Sequence, residues 1–288
     1  MKILIIDIDS KIKNYALAKV EKYHLDKGDE VIWNMPLYRW QADKVYVSCV
    51  FKKNEYKCYD YMDDDKCLIG GSGYSLSITL PDEIEQVKPR INLGFTTRGC
   101  IRNCEFCVVP QKEGRIKIVG DLLDLWDGKS KDVVLLDNNI LAVPNHFRAT
   151  CKQARENNIR LDFNQGLDHR LLTDRVCKEL KLIKHQELHF AWDNFEDYHN
   201  VEKAIDLLQD NFINRCTWLV LAGFNTDFEQ DLLRVKYLKS RNQNAYLMRY
   251  NGKTTKELTR LSRWVNNRSW FQSITWEEFL KRNYKEAI

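Results

Sequence analysis

No apolar run in these 288 residues comes near the roughly 20 residues that a membrane-crossing helix needs. Neither sign of charge dominates. The 45 basic residues stand against 41 acidic ones, and a formal net charge of +4 provides no basic field that would by itself indicate nucleic acid. A disulfide framework is missing as well: nine cysteines are spread unevenly over a chain too long to need such staples, so a reducing, cytoplasmic setting is expected. The opening Met1-Lys2-Ile3-Leu4-Ile5-Ile6-Asp7 carries one basic side chain and a short apolar run broken by an aspartate, which reads as a first strand rather than a secretory leader. What is present suits an enzyme-sized fold. A hydrophobic fraction of 44% is enough to fill one large domain and a small one.

The densest chemistry lies in Thr96-Thr97-Arg98-Gly99-Cys100-Ile101-Arg102-Asn103-Cys104-Glu105-Phe106-Cys107-Val108-Val109-Pro110, where three thiols stand at Cys-x3-Cys-x2-Cys spacing on one glycine-bearing loop. A structural zinc site closes its coordination with four protein ligands, whereas an iron-sulfur cluster held by three cysteines leaves one iron open to an external ligand. Zinc with a fourth ligand such as His146 or His169, or three reduced thiols with no metal, are the plainer alternatives.

The spacing, the aromatic before the third cysteine and the flanks Thr-Thr-Arg-Gly-Cys and Phe-Cys-Val-Val-Pro together resemble the signature of the radical S-adenosylmethionine superfamily. The resemblance implies a 4Fe-4S cluster on Cys100, Cys104 and Cys107 and S-adenosylmethionine on the open iron. It further implies reductive cleavage to methionine and a 5'-deoxyadenosyl radical that abstracts hydrogen from a substrate, with electrons from a reductant such as flavodoxin or ferredoxin. The substrate stays unidentified; nucleic acid is not indicated, no membrane is expected, and the oligomeric state is open.

Composition shifts near Pro81 to Arg90 divide the chain. Residues 1–85 read as a small Rossmann-like α/β domain, with strands at Ile3 to Ile8 and Val45 to Phe51, a helix at Lys11 to Tyr23, and a strand running into a turn over Cys67 to Gly73. It resembles a reduced cobalamin-binding domain, but the Asp-x-His-x-x-Gly motif is absent, the equivalent turn reading Asp7-Ile8-Asp9-Ser10-Lys11-Ile12, so no cobalt ligand is expected. Gly70, Gly71 and Gly73 are expected to shape a strand-ending turn rather than cradle a phosphate. Residues 86–253 alternate strand and helix patterns. Strands are expected at Asn92 to Thr97, Asp132 to Leu136, Arg160 to Asn164, Glu187 to Ala191, Cys216 to Ala222 and Asn244 to Met248. Helices follow at Asp121 to Trp126, Asn145 to Asn157, Thr173 to Lys184, Phe195 to Asp210, Phe228 to Arg241 and Thr254 to Asn267. Such βα units build a parallel sheet buried on both faces. Periodicity alone also allows a doubly wound sheet; the resemblance implies a partial (β/α)6 barrel. Residues 254–288 are expected to pack on it as a helical segment, with Leu258, Leu261, Trp264 and Val265 at core spacing, in preference to binding nucleic acid through Arg260, Arg263 and their aromatic neighbours.

In a barrel the chemistry collects at the C-terminal strand ends. Read that way, the resemblance implies that Phe106 lies against the adenine, that Asp137 and Asn138, after the second strand, accept from the methionine amine, and that Gln165 and Arg170, after the third, meet the amino-acid end, the Arg170 fork holding its carboxylate. Asp193 would take the ribose hydroxyls, Gly223 and Asn225 would border the adenine, and Arg249 would meet the substrate or the carboxylate. Each has an ordinary alternative as a helix cap or surface ion pair. Cys49, Cys58 and Cys67 raise a methylthiotransferase-like arrangement with an auxiliary cluster, against which buried, inert thiols are the plainer reading. A non-enzymatic iron-sulfur or zinc protein is the remaining alternative.

Overall fold

The computed structural model describes residues 1–252 and 255–284. Its contacts gather into two units, Met1–Val133 and Val134–Ile288. Both are built from parallel strands alternating with helices, an α/β architecture. Among the described residues no helix is long and apolar enough to cross a membrane.

The first unit opens with β1 (Lys2–Asp7), α1 (Tyr15–Asp26), β2 (Glu30–Trp33), β3 (Lys44–Ser48) and β4 (Cys67–Gly70), all parallel in the order β2-β1-β3-β4. The near-continuous apolar run of β1 follows from its central place, where both faces are covered. Ile3 and Ile5 pack with Leu17 and Val20 of α1, while Leu4 and Ile6 turn the other way onto Val45, Val47, Cys49, Cys58 and Ile69. Helix α1 starts later than the expected Lys11. The Asp7 carboxylate accepts the Ser10 N–H at 3.0 Å and holds the chain in a turn, and only Asn14 supplies a cap, accepting the Leu17 N–H at 3.2 Å. The glycines after β4 serve close packing. A Cβ on Gly71, whose φ is +96°, would lie 2.2 Å from the Cys49 carbonyl oxygen, and one on Gly73 would lie 2.5 Å from the Phe51 backbone. That is the turn expected of them, and it is filled by the strand end that follows β3.

The second unit contains β5 (Asp132–Leu135), whose first two residues fall before its boundary, then α2 (Pro144–Glu156), β6 (Arg160–Phe163), α3 (Asp174–Leu182), β7 (Lys184–His185), β8 (His189–Trp192), α4 (Tyr198–Asp210), β9 (Thr217–Ala222), α5 (Phe228–Ser240), β10 (Asn244–Arg249), α6 (Lys256–Asn266), α7 (Arg268–Ser273) and α8 (Trp276–Asn283). Strands β7-β6-β5 are neighbours in that order, as are β8-β9-β10, and a parallel bridge joins Leu167, just beyond β6, to Phe190 of β8. The sheet is dressed with large apolar groups: Phe190, Trp192, Trp218 and Val220 are fully buried.

The C-terminal helices pack as the sequence predicts, with Leu258, Leu261, Trp264 and Val265 all buried. Trp264 meets Phe271 at 5.1 Å and Trp276 at 5.7 Å between ring centroids. Asn266 closes the edge of the sheet: its side chain accepts the Leu247 N–H at 2.7 Å and donates to the Leu247 carbonyl at 3.1 Å, occupying both groups that β10 would otherwise present to another strand. Arg260 lies 4.1 Å from the Tyr284 ring centroid and Arg263 donates to the Tyr284 hydroxyl, so both cations are engaged locally. The expected start of α6 at Thr254 lies outside the described residues; Thr255 caps it, accepting from the Leu258 N–H.

Candidate functional site

In the first unit the cysteine loop hangs from a two-residue hairpin. The strand expected over Asn92 to Thr97 forms only at Leu93–Gly94 and Thr97–Arg98, and the latter pairs antiparallel with Lys117–Ile118, Thr97 opposite Ile118 and Arg98 opposite Lys117. Gly99 sits where the loop leaves the hairpin, at φ +87°, and a Cβ there would lie 2.5 Å from the Arg115 carbonyl oxygen. Only a glycine lets the two arms of the loop approach so closely. The Cys100 N–H then donates to the Gly114 carbonyl at 3.2 Å and the Cys107 N–H to the Cys104 carbonyl at 3.0 Å.

All three cysteines are half-buried, and the Arg102 N–H points at Cys100 Sγ at 3.3 Å. Phe106, between the second and third cysteines, is half-buried. Among the described residues no group of three or more His, Cys, Asp or Glu side chains is gathered closely enough to hold a metal ion.

An ion-pair chain braces the loop. Arg98, directly before Gly99, divides its fork between Glu85 at 2.8 Å and Glu113 at 2.7 Å, and so ties the entry of the loop to its exit. Glu85 also accepts from Lys19 of α1 at 3.0 Å, and Lys19 is only 6% exposed. Charge-assisted contacts of this kind are strong where water is excluded and both partners are satisfied.

The other cysteines differ in character. Cys49 and Cys58 are fully buried and Cys67 half-buried. Burial, with Asp9 and Cys58 close by, pushes the Cys49 thiol up to about 12, and burial raises Cys58 and Cys67 as well. Such thiols are protonated at neutral pH and poor ligands. His146 and His169, the candidate fourth zinc ligands, are both buried in the second unit, His169 with its ring 5.7 Å from that of Trp218 and its pKa lowered by desolvation.

The second unit gathers most of the remaining candidates at the C-terminal ends of its strands. After β5, Asp137 and Asn139 are buried and Asn138 half-buried, and Asn139 Nδ2 donates to Asp168 Oδ2 at 3.1 Å. After β6, Arg170 Nε donates to Asp168 Oδ1 at 2.7 Å while its Nη1 stands 3.6 Å from Asp197 Oδ2. Gln165 is exposed, and its amide nitrogen lies 3.5 Å from Asn164 Oδ1. After β8, burial pushes Asp193 up to about 6; Arg170 and Arg234 oppose that rise, and Asp197 and Asp168 add to it. After β9, Asn225 donates to Asn194 Oδ1 at 2.8 Å, and the Gly223 N–H donates to Asp231 Oδ2 at 3.1 Å. Arg249, at the end of β10, reaches Thr259 of α6 at 3.3 Å, so it bonds to a helix rather than to the neighbouring strand ends.

Three contributors were not evident from the sequence: Asp168, Asp197 and the pair Asp231 and Arg234. A signal for the pair does exist, since both charges fall on the same face of α5 as Leu232, Val235 and Leu238, where an apolar stripe is due. Arg234 and Asp231 are 0% exposed.

The elevated Asp193 makes a sign-definite prediction. Its folded value of about 6 lies above the ordinary 3.8, so the folded state binds its proton more tightly. That contribution to stability is complete below the ordinary value and is lost as pH rises through about 6. Asp193→Asn is therefore expected to be more stable than the parent at pH 8, by on the order of 1 to 3 kcal/mol, with the difference gone near pH 4. Denaturant midpoints across that range check it.

No protein-family model and no curated protein sequence matches this chain.

Proposed function

We propose that this chain is a radical S-adenosylmethionine enzyme that carries one 4Fe-4S cluster on Cys100, Cys104 and Cys107. One observation carries the reading: three cysteines at Cys-x3-Cys-x2-Cys spacing on a loop whose base is pinned by Gly99 and Arg98, with a backbone N–H directed at the first sulfur. The donor set suits the group, because three thiolates satisfy three irons and leave the fourth for an outside ligand. When bound, the cluster supplies the electron that splits the sulfonium of S-adenosylmethionine and so yields a hydrogen-abstracting radical.

The chain's own residues bind and orient. A partial β/α barrel for the second unit is supported by strands that run parallel and follow one another in chain order through β8, β9 and β10, with the Leu167–Phe190 bridge leading from β6 to β8. In that reading the strand ends receive the cofactor. Arg170, oriented by Asp168, is the cation for the methionine carboxylate. Asp137 and Asn138 accept from the amine, with Gln165 beside them. Asp193 accepts from the ribose hydroxyls, and Gly223 and Asn225 border the adenine. Arg249 meets the substrate. The reductant is a flavodoxin or ferredoxin, and the setting is cytoplasmic.

Anaerobic reconstitution with iron and sulfide is expected to give about four irons per chain and a brown protein. Zinc with no colour contradicts the proposal. Close to twice that iron would favour a methylthiotransferase-like enzyme with a second cluster on Cys49, Cys58 and Cys67.

A further inference from the structure

Arg234 is a fully buried arginine whose partners include two main-chain carbonyls. Its Nη1 donates to the Trp192 carbonyl at 2.7 Å, and its Nη2 donates to the Leu221 carbonyl at 2.7 Å and to Asp231 Oδ1 at 2.5 Å. Those two carbonyls belong to the ends of adjacent strands, β8 and β9. Asp231 completes the arrangement by accepting the Gly223 N–H through Oδ2 and the Thr226 hydroxyl, at 2.6 Å, through Oδ1. One ion pair therefore fixes the last turn of β8, which carries Asp193 and Asn194, against the turn after β9, which carries Gly223 and Asn225. A buried charge is costly unless fully engaged, and a hydrophobic pair would hold the helix to the sheet with less penalty. What hydrophobic side chains would not supply is the link to both carbonyls and a positive charge beside Asp193.

We propose that Arg234 is a positioning residue of this site: its fork locks the ends of β8 and β9 together and its charge keeps Asp193 available as an ionised acceptor for the ribose diol of a nucleoside. The proposal rests on the reading of these strand ends as the nucleoside-binding side of the cofactor site. The charged groups facing Asp193 are Arg234 on α5, Arg170 and Asp168 after β6, and Asp197 before α4. Arg170 is the larger of the two cationic influences, but its side chain is 28% exposed and shared with two aspartates. Arg234, sealed from water, is the cation fixed in place whatever the ligand does.

The test separates charge from geometry and reads Asp193 directly. The carboxyl carbon of Asp193 is followed by NMR in aspartate-labelled protein, assigned through Asp193→Asn, and binding of S-adenosylhomocysteine is titrated over the same pH range. In Asp231→Asn/Arg234→Met no buried charge is stranded, and the introduced amide keeps an acceptor for the Gly223 N–H. There the Asp193 midpoint is expected to rise by about one unit, the pH of half-maximal binding to rise with it, and affinity at pH 7 to fall about twofold through protonation, on top of the loss at every pH that follows from the missing fork. Arg234→Lys keeps the charge but lacks the fork, so the midpoint stays near that of the parent while affinity falls at every pH. A folded double variant with an unmoved Asp193 midpoint overturns the proposal. If the parent does not bind S-adenosylhomocysteine at any pH, the cofactor reading fails, and the midpoint still decides whether Arg234 governs Asp193.

Discussion

Replacing Cys100, Cys104 and Cys107 together by alanine is expected to leave the reconstituted protein colourless and free of cluster iron, the largest effect that any substitution in this chain should produce. The other cysteines are poor substitutes: Cys49, Cys58, Cys151, Cys177 and Cys216 are buried and Cys67 is half-buried, and burial raises each of their thiols, so they offer little thiolate. The fold itself should tolerate the change, because the three side chains are only half-buried and the loop base is held by Gly99, the hairpin and the Arg98 fork rather than by sulfur. Circular dichroism and the denaturant midpoint should therefore match the parent while iron and sulfide assays fall to background. A triple variant that retains a full cluster would remove the assignment.

Arg170→Ala is expected to weaken S-adenosylmethionine binding by roughly ten- to a hundredfold with the cluster intact, the equivalent of losing a charge-assisted contact of on the order of 1.5 to 3 kcal/mol. The reason is local. Asp168 holds Nε, Asp197 stands near Nη1, and the side chain is 28% exposed, so the guanidinium is oriented but still accessible to a ligand. Arg170→Lys should not restore affinity, since an ammonium does not keep the Asp168 contact and offer two parallel donors as well. Losing Arg170 also removes the largest of the charges that hold Asp193 down, so its titration should move upward. Unchanged affinity in Arg170→Ala, measured by anaerobic equilibrium dialysis, would transfer the carboxylate to another partner, with Arg249 next in line.

Much of this organisation is legible in the residues. Ile3 to Ile6 announce a strand buried on both faces, Leu258, Leu261, Trp264 and Val265 announce one apolar helix face, and the helices drawn from periodicity match Pro144–Glu156, Tyr198–Asp210 and Phe228–Ser240 to within a few residues. What escapes depends on partners distant in sequence. Strand β2, Glu30–Trp33, is exposed at Glu30 and half-buried over the next three residues, and its strand character comes from its register with Lys2 to Ile5. The hairpin under the cysteine loop needs Lys117–Ile118 to exist as a strand at all. Arg234 looks like one more helix cation until the carbonyls of Trp192 and Leu221 are brought to it. The site was legible as residue types at strand ends, and Arg170 and Asp193 do meet in one electrostatic group. Which carboxylate holds Arg170 was not, because Asp168 serves equally as the N-cap of the short turn His169–Leu171 and as its ion-pair partner. Arg249 also stands at a strand end, where its Nη1 donates to Thr259 of α6, a contact between a strand and a later helix that residue types alone do not announce.

The most direct test of the central claim is product analysis after anaerobic reduction. The reconstituted protein, treated with dithionite and S-adenosylmethionine in the absence of any other substrate, should release 5'-deoxyadenosine and methionine in equal amounts, slowly and only while Cys100, Cys104 and Cys107 are present. A fully loaded, reduced protein that binds S-adenosylmethionine and leaves it intact, with neither product above the level given by the triple-alanine variant, would contradict it.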